Sequence, residues 1–153
     1  MPVGRASASE LARLRALIDA WSAGELARNP LLVAVDRDSE LDRWYLRMRG
    51  VDRSVITVWL TLREHTVAFE TYFMPAPEES QEACWEYLLR LNTRLFAWRF
   101  AIGQEEAVYL VGQLPVGSID AEELDRIVGS GYAYCEQYFA AAMRIGFGSR
   151  FGR

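Results

Sequence analysis

The sequence predicts a single α+β domain in which an antiparallel β-sheet is flanked by helices. Three observations support this fold class. Several segments alternate apolar and polar side chains, as half-buried strands do. Other segments carry apolar side chains at helical spacing, and the links between the first strands are short, which indicates antiparallel neighbours. The length of 153 residues suits one domain. The predicted order of elements is α-β-β-β-α-β-β-α.

The first half of the chain is predicted to hold one helix followed by strands. Ser7 and Glu10 have the spacing of a capping box, and the helix is expected to run over residues 8–23 with Gly24 as its stop. The apolar run at residues 31–35 fits either a brief strand or a packed approach to one. Three clearer strands are predicted at Arg43–Gly50, Ser54–Leu62 and Thr66–Met74.

The second half is predicted to hold a helix, a hairpin and a long final helix. The middle helix follows Pro77 and reaches about Phe96, and the hairpin pairs residues 98–102 with 107–113. The last helix is expected to begin at Asp120 with a capping box. Its segment 129–131, Gly-Ser-Gly, resembles a terminator, but the apolar residues on both sides share one helical phase. The pattern therefore predicts one continuous, weakened helix.

The middle helix is unusually apolar for a surface helix. An ordinary amphipathic helix shows an apolar stripe of roughly 100°. Here apolar side chains cover well over half of the circumference, which one sheet cannot bury, so a second contact is predicted. The apolar side chains of this helix are Ala83, Cys84, Trp85, Tyr87, Leu88, Leu89, Leu91, Leu95 and Phe96.

Composition excludes several classes of protein. All 17 basic side chains are arginine, so neither Schiff-base chemistry on lysine nor a phosphate-binding loop lysine is available. Cys84 and Cys135 are far apart and lack a CxxC spacing, which predicts reduced thiols in a cytoplasmic protein. No apolar run has the length of a membrane span or signal peptide. The net charge of −4 argues mildly against bulk binding of nucleic acid.

No catalytic, cofactor-binding or metal-binding residues are predicted. His65 is the single histidine and stands beside Glu64 in a predicted turn, without a nucleophile or a second ligand placed near it. An enzyme that uses these two residues is the least favoured alternative. The acidic residues lie at helix starts or on solvated helix faces, where they complement the helix dipole.

An arginine-rich strand offers a candidate anion or partner contact. Arg43, Tyr45, Arg47 and Arg49 are expected to share one strand face, and Arg53 follows closely. Arginines beside an aromatic ring are typical of a nucleic-acid-binding face. The same pattern is also typical of a solvated edge strand, where charged side chains block unwanted pairing with another strand. The Arg, Gly and Phe residues of segment 144–153 are typical of a disordered binding segment or of a frayed terminus.

Four segments carry a resemblance to a known family: RWYLRMRG, VITVWLTLREHTVAFETYFMPAPEE, FAIGQEEAVYLVGQLPVGSIDAEELDRIVG and RIGFGSRFG. Together they resemble the YbjN family, more closely its short bacterial branch of sensory transduction regulators, over residues 31–152. The resemblance implies a fold like the class I chaperones of type III secretion, with a curved antiparallel sheet, helices and a homodimer. It also implies roles in stress response and regulation, and it transfers no catalytic residues.

The resemblance and the apolar excess together predict a binding surface. The expected function is a non-enzymatic, homodimeric adaptor or chaperone-like regulator that binds a client or partner protein. The alternative is a regulator that contacts nucleic acid, or a nucleic-acid-binding protein, through the arginine-rich strand and the tail. Whether a small ligand binds under the sheet is left open by the sequence. Residues 1–7 and 147–153 are predicted to be flexible tails of the one domain. The predicted dimer or partner interface comprises Trp85, Leu88, Leu89, Phe96, Trp98, Phe100 and Trp59.

Overall fold

The structure, a computed structural model, describes residues 4–151, without the side chain of Phe151. Residues 1–3 and 152–153, which belong to the two predicted tails, lie outside the described part. One sheet has the strand order β1-β2-β3-β4-β6-β5, with every neighbouring pair antiparallel. The elements are α1 Ala8–Arg28, β1 Leu32–Asp38, β2 Arg43–Arg49, β3 Val55–Leu62, β4 Thr66–Met74, α2 Gln81–Leu91, β5 Arg99–Ile102, β6 Val108–Pro115 and α3 Ala121–Phe147.

The structure confirms the α+β class and the predicted layout of elements. The apolar run at residues 31–35 is the start of β1, which forms one edge of the sheet. Strand β4 has the bounds predicted for it, because Pro75 cannot continue the ladder. Helix α1 begins with the predicted capping box, in which the Ser7 hydroxyl accepts from the Glu10 amide at 3.2 Å.

Two helix ends differ from the prediction. Helix α1 passes through Gly24 and ends at Arg28, because Pro30 disfavours helical backbone at Asn29, which is extended. A glycine inside a helix costs only about 1 kcal/mol relative to alanine, so Gly24 does not stop it. Helix α2 ends at Leu91 rather than Phe96, and Asn92 turns towards the next strand.

Helix α3 runs without interruption through the glycine segment, as the apolar phase predicts. It begins at the predicted cap, where the Asp120 carboxylate accepts from the Glu123 amide at 2.7 Å. At the other end Gly146 offers its carbonyl to the amides of Glu78 and Glu79. The segment that enters α2 is thereby fixed to the end of α3.

The sheet has an inner face that carries the core and an outer face. Alternate residues such as Leu46, Val58 and Phe69 are almost fully buried on the inner face, where α1 and α3 pack. Two indole N–H groups of the core reach helix carboxylates, Trp44 to Asp19 and Trp21 to Asp125, each at 2.8 Å. These bonds satisfy polar groups that would otherwise be buried without a partner.

The register aligns one row of side chains across all six strands of the outer face. Because facing residues of antiparallel strands point to the same side of a sheet, the row is a single stripe. In strand order it consists of Asp36, Tyr45, Trp59, Glu70, Val111 and Arg99. An aromatic pair thus lies between two carboxylates.

Candidate interaction surfaces

An apolar groove lies between α2 and the edge strand β5. Its volume is about 230 Å³. Leu89 on α2 is 64% exposed and Ile102 on β5 is 53% exposed. Large apolar side chains this exposed at one place are typical of a contact surface. The lining residues are Trp85, Leu88, Leu89, Phe100, Ala101, Ile102 and Val108.

On the solvent-facing side of α2, the acidic and the basic side chains lie at different positions along the helix. Glu82 lies in the first turn and Glu86 at the midpoint, whereas Arg90 lies in the last turn and Arg94 just beyond it. All four side chains are exposed. The Glu86 carboxylate pairs with Arg90 at 2.9 Å, an exposed i,i+4 pair worth at most about 0.5 kcal/mol. The exposed charges of the helix therefore change from acidic to basic between its beginning and its end.

Asn92 closes part of the outer edge of β5. Its side-chain Oδ1 accepts from the Phe100 amide at 2.7 Å, and its Nδ2 donates to the Phe100 carbonyl at 3.3 Å. The backbone N–H and C=O of Phe100, which point away from β6, are therefore both hydrogen-bonded by the side-chain amide of Asn92. This arrangement protects an edge strand from pairing with another chain.

The residues of the predicted interface fall into three places. Leu88, Trp98 and Phe100 are at most 6% exposed and belong to the core of this chain. The Trp98 indole donates to the Ile127 carbonyl at 2.9 Å, which anchors it against α3. Only Leu89 and the half-buried Trp85 face outward at the groove.

Phe96 and Trp59 lie apart from the groove. Phe96 is 43% exposed in the loop after α2, and the guanidinium of Arg126 lies 5.9 Å from its ring. Trp59 is half-buried on β3 and belongs to the outer face of the sheet, whereas the groove opens beside the inner face. The structure therefore does not join all seven residues into one surface.

The outer face carries an aromatic pair with an arginine over it. The rings of Tyr45 and Trp59 meet edge to face at 5.4 Å. Arg43 covers the Trp59 ring at 4.9 Å and donates to the Thr61 hydroxyl at 2.8 Å. Arg47 and Arg49 are exposed on the same face of β2. The structure thus places Arg43, Tyr45, Arg47 and Arg49 together, as the alternation predicts.

Arg53 is held at one end of the sheet. Its guanidinium donates to the Tyr72 carbonyl at 2.6 Å. It also lies 5.5 Å from the Tyr72 ring and 5.4 Å from the Phe139 ring. Tyr72 in turn meets Tyr109 of β6 edge to face at 5.6 Å. Sequence reasoning did not name these two tyrosines as a site, because only the register of β4 and β6 sets them opposite each other.

The histidine and the two cysteines have different surroundings in the structure. His65 is exposed in the β3–β4 turn, and its carbonyl accepts from the Val116 amide at 3.0 Å. Burial raises the pKa of the Cys135 thiol to about 11, although Arg53 nearby opposes the shift. Burial also raises the pKa of Cys84. Across residues 4–151, no three His, Cys, Asp or Glu side chains gather as metal ligands would.

These features define an α+β protein with a six-stranded antiparallel sheet, an exposed apolar groove beside α2 and an arginine-rich outer sheet face. The model of the YbjN family, described as "Putative bacterial sensory transduction regulator", matches residues 23–143. This chain belongs to the YbjN family. Within residues 4–151, no helix combines the length and apolar character that crossing a membrane requires.

Curated relatives come from mycobacteria. Uncharacterized proteins of Mycobacterium tuberculosis and Mycobacterium bovis are each 31% identical over 71% of this chain and 59% of their own length. An uncharacterized protein of Mycobacterium leprae is 30% identical over 70% of this chain and 58% of its own length. The chain thus spans less than two thirds of the relatives that it matches.

Proposed function

We propose that this protein is a non-enzymatic regulatory adaptor that forms a homodimer through α2 and binds a partner protein. The family description supports a regulatory role. The charge pattern of α2 carries the proposal of a homodimer. A chaperone-like role in a cytoplasmic stress response rests on the family resemblance alone.

The exposed side of α2 is complementary to a second copy of itself. In a two-fold symmetric pair the same surface serves both subunits. If the two-fold axis is perpendicular to α2, the two copies of the helix run antiparallel. Glu82 and Glu86 then lie against the basic end of the partner helix, which carries Arg90 and Arg94. Leu89 and Trp85 meet near the centre and lose their contact with water.

Helix α2 alone is too short for a stable interface. Its 11 residues span about 16 Å at a rise of 1.5 Å per residue. A specific interface buries at least about 1,000 Å² in total. The groove beside α2 supplies the additional apolar area, because exposed Ile102 lies on its far wall. We therefore place β5 at the border of the dimer interface.

A charge-reversal series measured by analytical ultracentrifugation tests the dimer. Glu86→Arg and Arg90→Glu each place like charges in opposition across the two-fold axis, so each single variant should shift the protein towards the monomer. The double variant restores opposite charges and should recover the dimer. Chemical denaturation of each variant separates this effect from a loss of stability.

The dimer proposal fails if the unchanged protein sediments as a monomer at micromolar concentration. It also fails if the single variants and the double variant sediment alike. Leu89→Glu provides a stronger disruption, since it puts a charge at the apolar centre. Arg13→Glu, on the exposed side of α1, is the matched control for Arg90→Glu, because both substitutions change the net charge by the same amount.

A further inference from the structure

The outer face of the sheet remains open in the proposed dimer. Helices α1 and α3 pack on the inner face, and the groove lined by α2 opens beside the inner side of β5. Tyr45 and Trp59 are half-buried, and Tyr72 is 40% exposed. Partly exposed aromatic rings of this kind are favoured at interfaces. We call the surface formed by Tyr45, Arg47, Arg49 and Trp59 the β2–β3 face.

Two arginines of this face have no carboxylate to neutralise them. Arg47 stands opposite Ala34 of β1 and Thr57 of β3, and Arg49 stands opposite Val55. Within residues 4–151, neither guanidinium takes part in an ion pair, whereas seven other arginines do. The two therefore form an unbalanced positive patch on a chain whose net charge is −4.

Spacing along β2 specifies a ligand with matching periodicity. Tyr45, Arg47 and Arg49 are alternate residues of one strand, so their side chains leave the sheet about 6.8 Å apart. An extended peptide repeats its side chains with the same spacing. An apolar residue over Tyr45 and acidic residues at the next two alternate positions would match the strand. Arginine binds carboxylates with two parallel hydrogen bonds, which favours this pairing.

Carboxylates beside the aromatic pair disfavour nucleic acid. Asp36 faces Tyr45 from β1, and Glu70 faces Trp59 from β4. A phosphate backbone tracking across the pair would meet both negative charges. Arg43 also covers the Trp59 ring, which a base would need for stacking. A protein segment avoids this repulsion, since it can carry acidic residues over Arg47 and Arg49 and uncharged residues beside Asp36 and Glu70.

We propose that the β2–β3 face binds an extended, acidic segment of a partner protein, with the pattern apolar-x-acidic-x-acidic lying along β2. The proposal rests on the proposed adaptor function and names the chemistry of the partner. Binding here leaves α2 free for the second copy, because the two surfaces belong to opposite sides of the sheet. The segment contacts side chains rather than adding a strand, since β2 is paired on both edges.

Fluorescence anisotropy with three labelled probes tests this assignment. The first probe is a 12-residue peptide that contains one phenylalanine with glutamates two and four positions after it, among uncharged residues. The second replaces the glutamates with lysines, and the third is a single-stranded RNA of 12 nucleotides. We expect the acidic peptide to bind most tightly, with an affinity that falls as salt rises.

Two variants with equal changes of net charge assign the site. Arg47→Glu/Arg49→Glu should raise the dissociation constant of the acidic peptide by about tenfold, because it removes two exposed charge pairs between the protein and the peptide. Arg13→Glu/Arg63→Glu alters two exposed arginines elsewhere and should leave it unchanged. Equal weakening by the two variants would show an unspecific charge effect and overturn the proposal.

Three further results would also overturn it: no binding of the acidic peptide, equal binding of the lysine peptide, or tighter binding of the RNA. Sedimentation of Arg47→Glu/Arg49→Glu separates this inference from the dimer. A variant that loses the peptide but stays dimeric supports two independent surfaces. A dimer that binds none of the probes removes the acidic-segment proposal while leaving the homodimer intact.

Discussion

Gly131 of helix α3 lies directly against the indole of Trp98. A Cβ built on Gly131 would overlap the ring, with Trp98 Cε2 only 2.8 Å away. The same indole donates its N–H to the Ile127 carbonyl one turn earlier. The glycine therefore lets α3 approach the strand that follows Trp98, and the weakening of the helix is offset by close packing.

Gly131→Ala should destabilise the protein by about 1–3 kcal/mol, because the methyl group forces the indole or the helix to move. Gly129→Ala is the matched control, since a Cβ there meets nothing within 4 Å. It should instead stabilise the helix by up to about 1 kcal/mol. Urea denaturation of both variants measures the difference, and equal effects would contradict the packing role of Gly131.

Asn92→Ala should expose the edge of β5. It removes two hydrogen bonds to Phe100, and we expect a loss of about 1–2 kcal/mol together with faster exchange of the Phe100 amide proton. Asn92→Asp keeps the acceptor for that amide but loses the donor to the carbonyl. Hydrogen exchange followed by NMR should therefore show stronger protection of Phe100 in the aspartate variant than in the alanine variant.

The buried thiol of Cys135 should make stability depend on pH in the alkaline range. Its pKa is raised to about 11 in the folded protein, so the unfolded chain releases the proton first as pH rises. The stabilising effect of the neutral thiol is complete below the ordinary pKa and declines between about pH 9 and 11. Cys135→Ala should flatten this decline in urea midpoints, and an unchanged slope would contradict the assignment.

Glu105 should be replaceable with a gain in stability. Its φ of 58° lies in the left-handed region, and the next residue, Glu106, has a φ of 59°. Asparagine tolerates this region better than glutamate, so Glu105→Asn should stabilise the turn by up to about 1 kcal/mol. Gln104→Asn, at the preceding ordinary position, should bring no gain. Thermal unfolding measured by circular dichroism compares the two variants.

Most helices and strands could be predicted because their bounds depend on nearby residues: the alternation of a strand, the apolar phase of a helix, a cap or a proline. Strand β4 alternates as far as Phe73 and is followed by Pro75, so its bounds could be read directly. The continuity of α3 followed from an unbroken apolar phase. The end of α2 could not be predicted in this way, because it depends on the side chain of Asn92 bonding a strand eight residues later.

Candidate surfaces were harder to predict than elements. An apolar pattern shows that a side chain needs burial but not which partner buries it. Trp98 was predicted at an interface, yet it is buried against α3, whereas Ile102, at the other end of segment 98–102, is exposed and lines the groove. The pairing of Tyr45 with Trp59 likewise requires the register of β2 and β3, which alternation within each strand does not define.

The position of β6 between β4 and β5 has a consequence for synthesis of the chain. Strand β4 is complete at Met74, but its neighbour β6 ends only at Pro115. A chain emerging from the ribosome therefore presents the unpaired backbone of β4 for about 40 residues of elongation, a few seconds at ordinary rates. Within that interval α2 is made but has no α3 to pack against. The β4 edge can be paired only after β6 has been made, so chains truncated before β6 should be the ones that aggregate or attract chaperones.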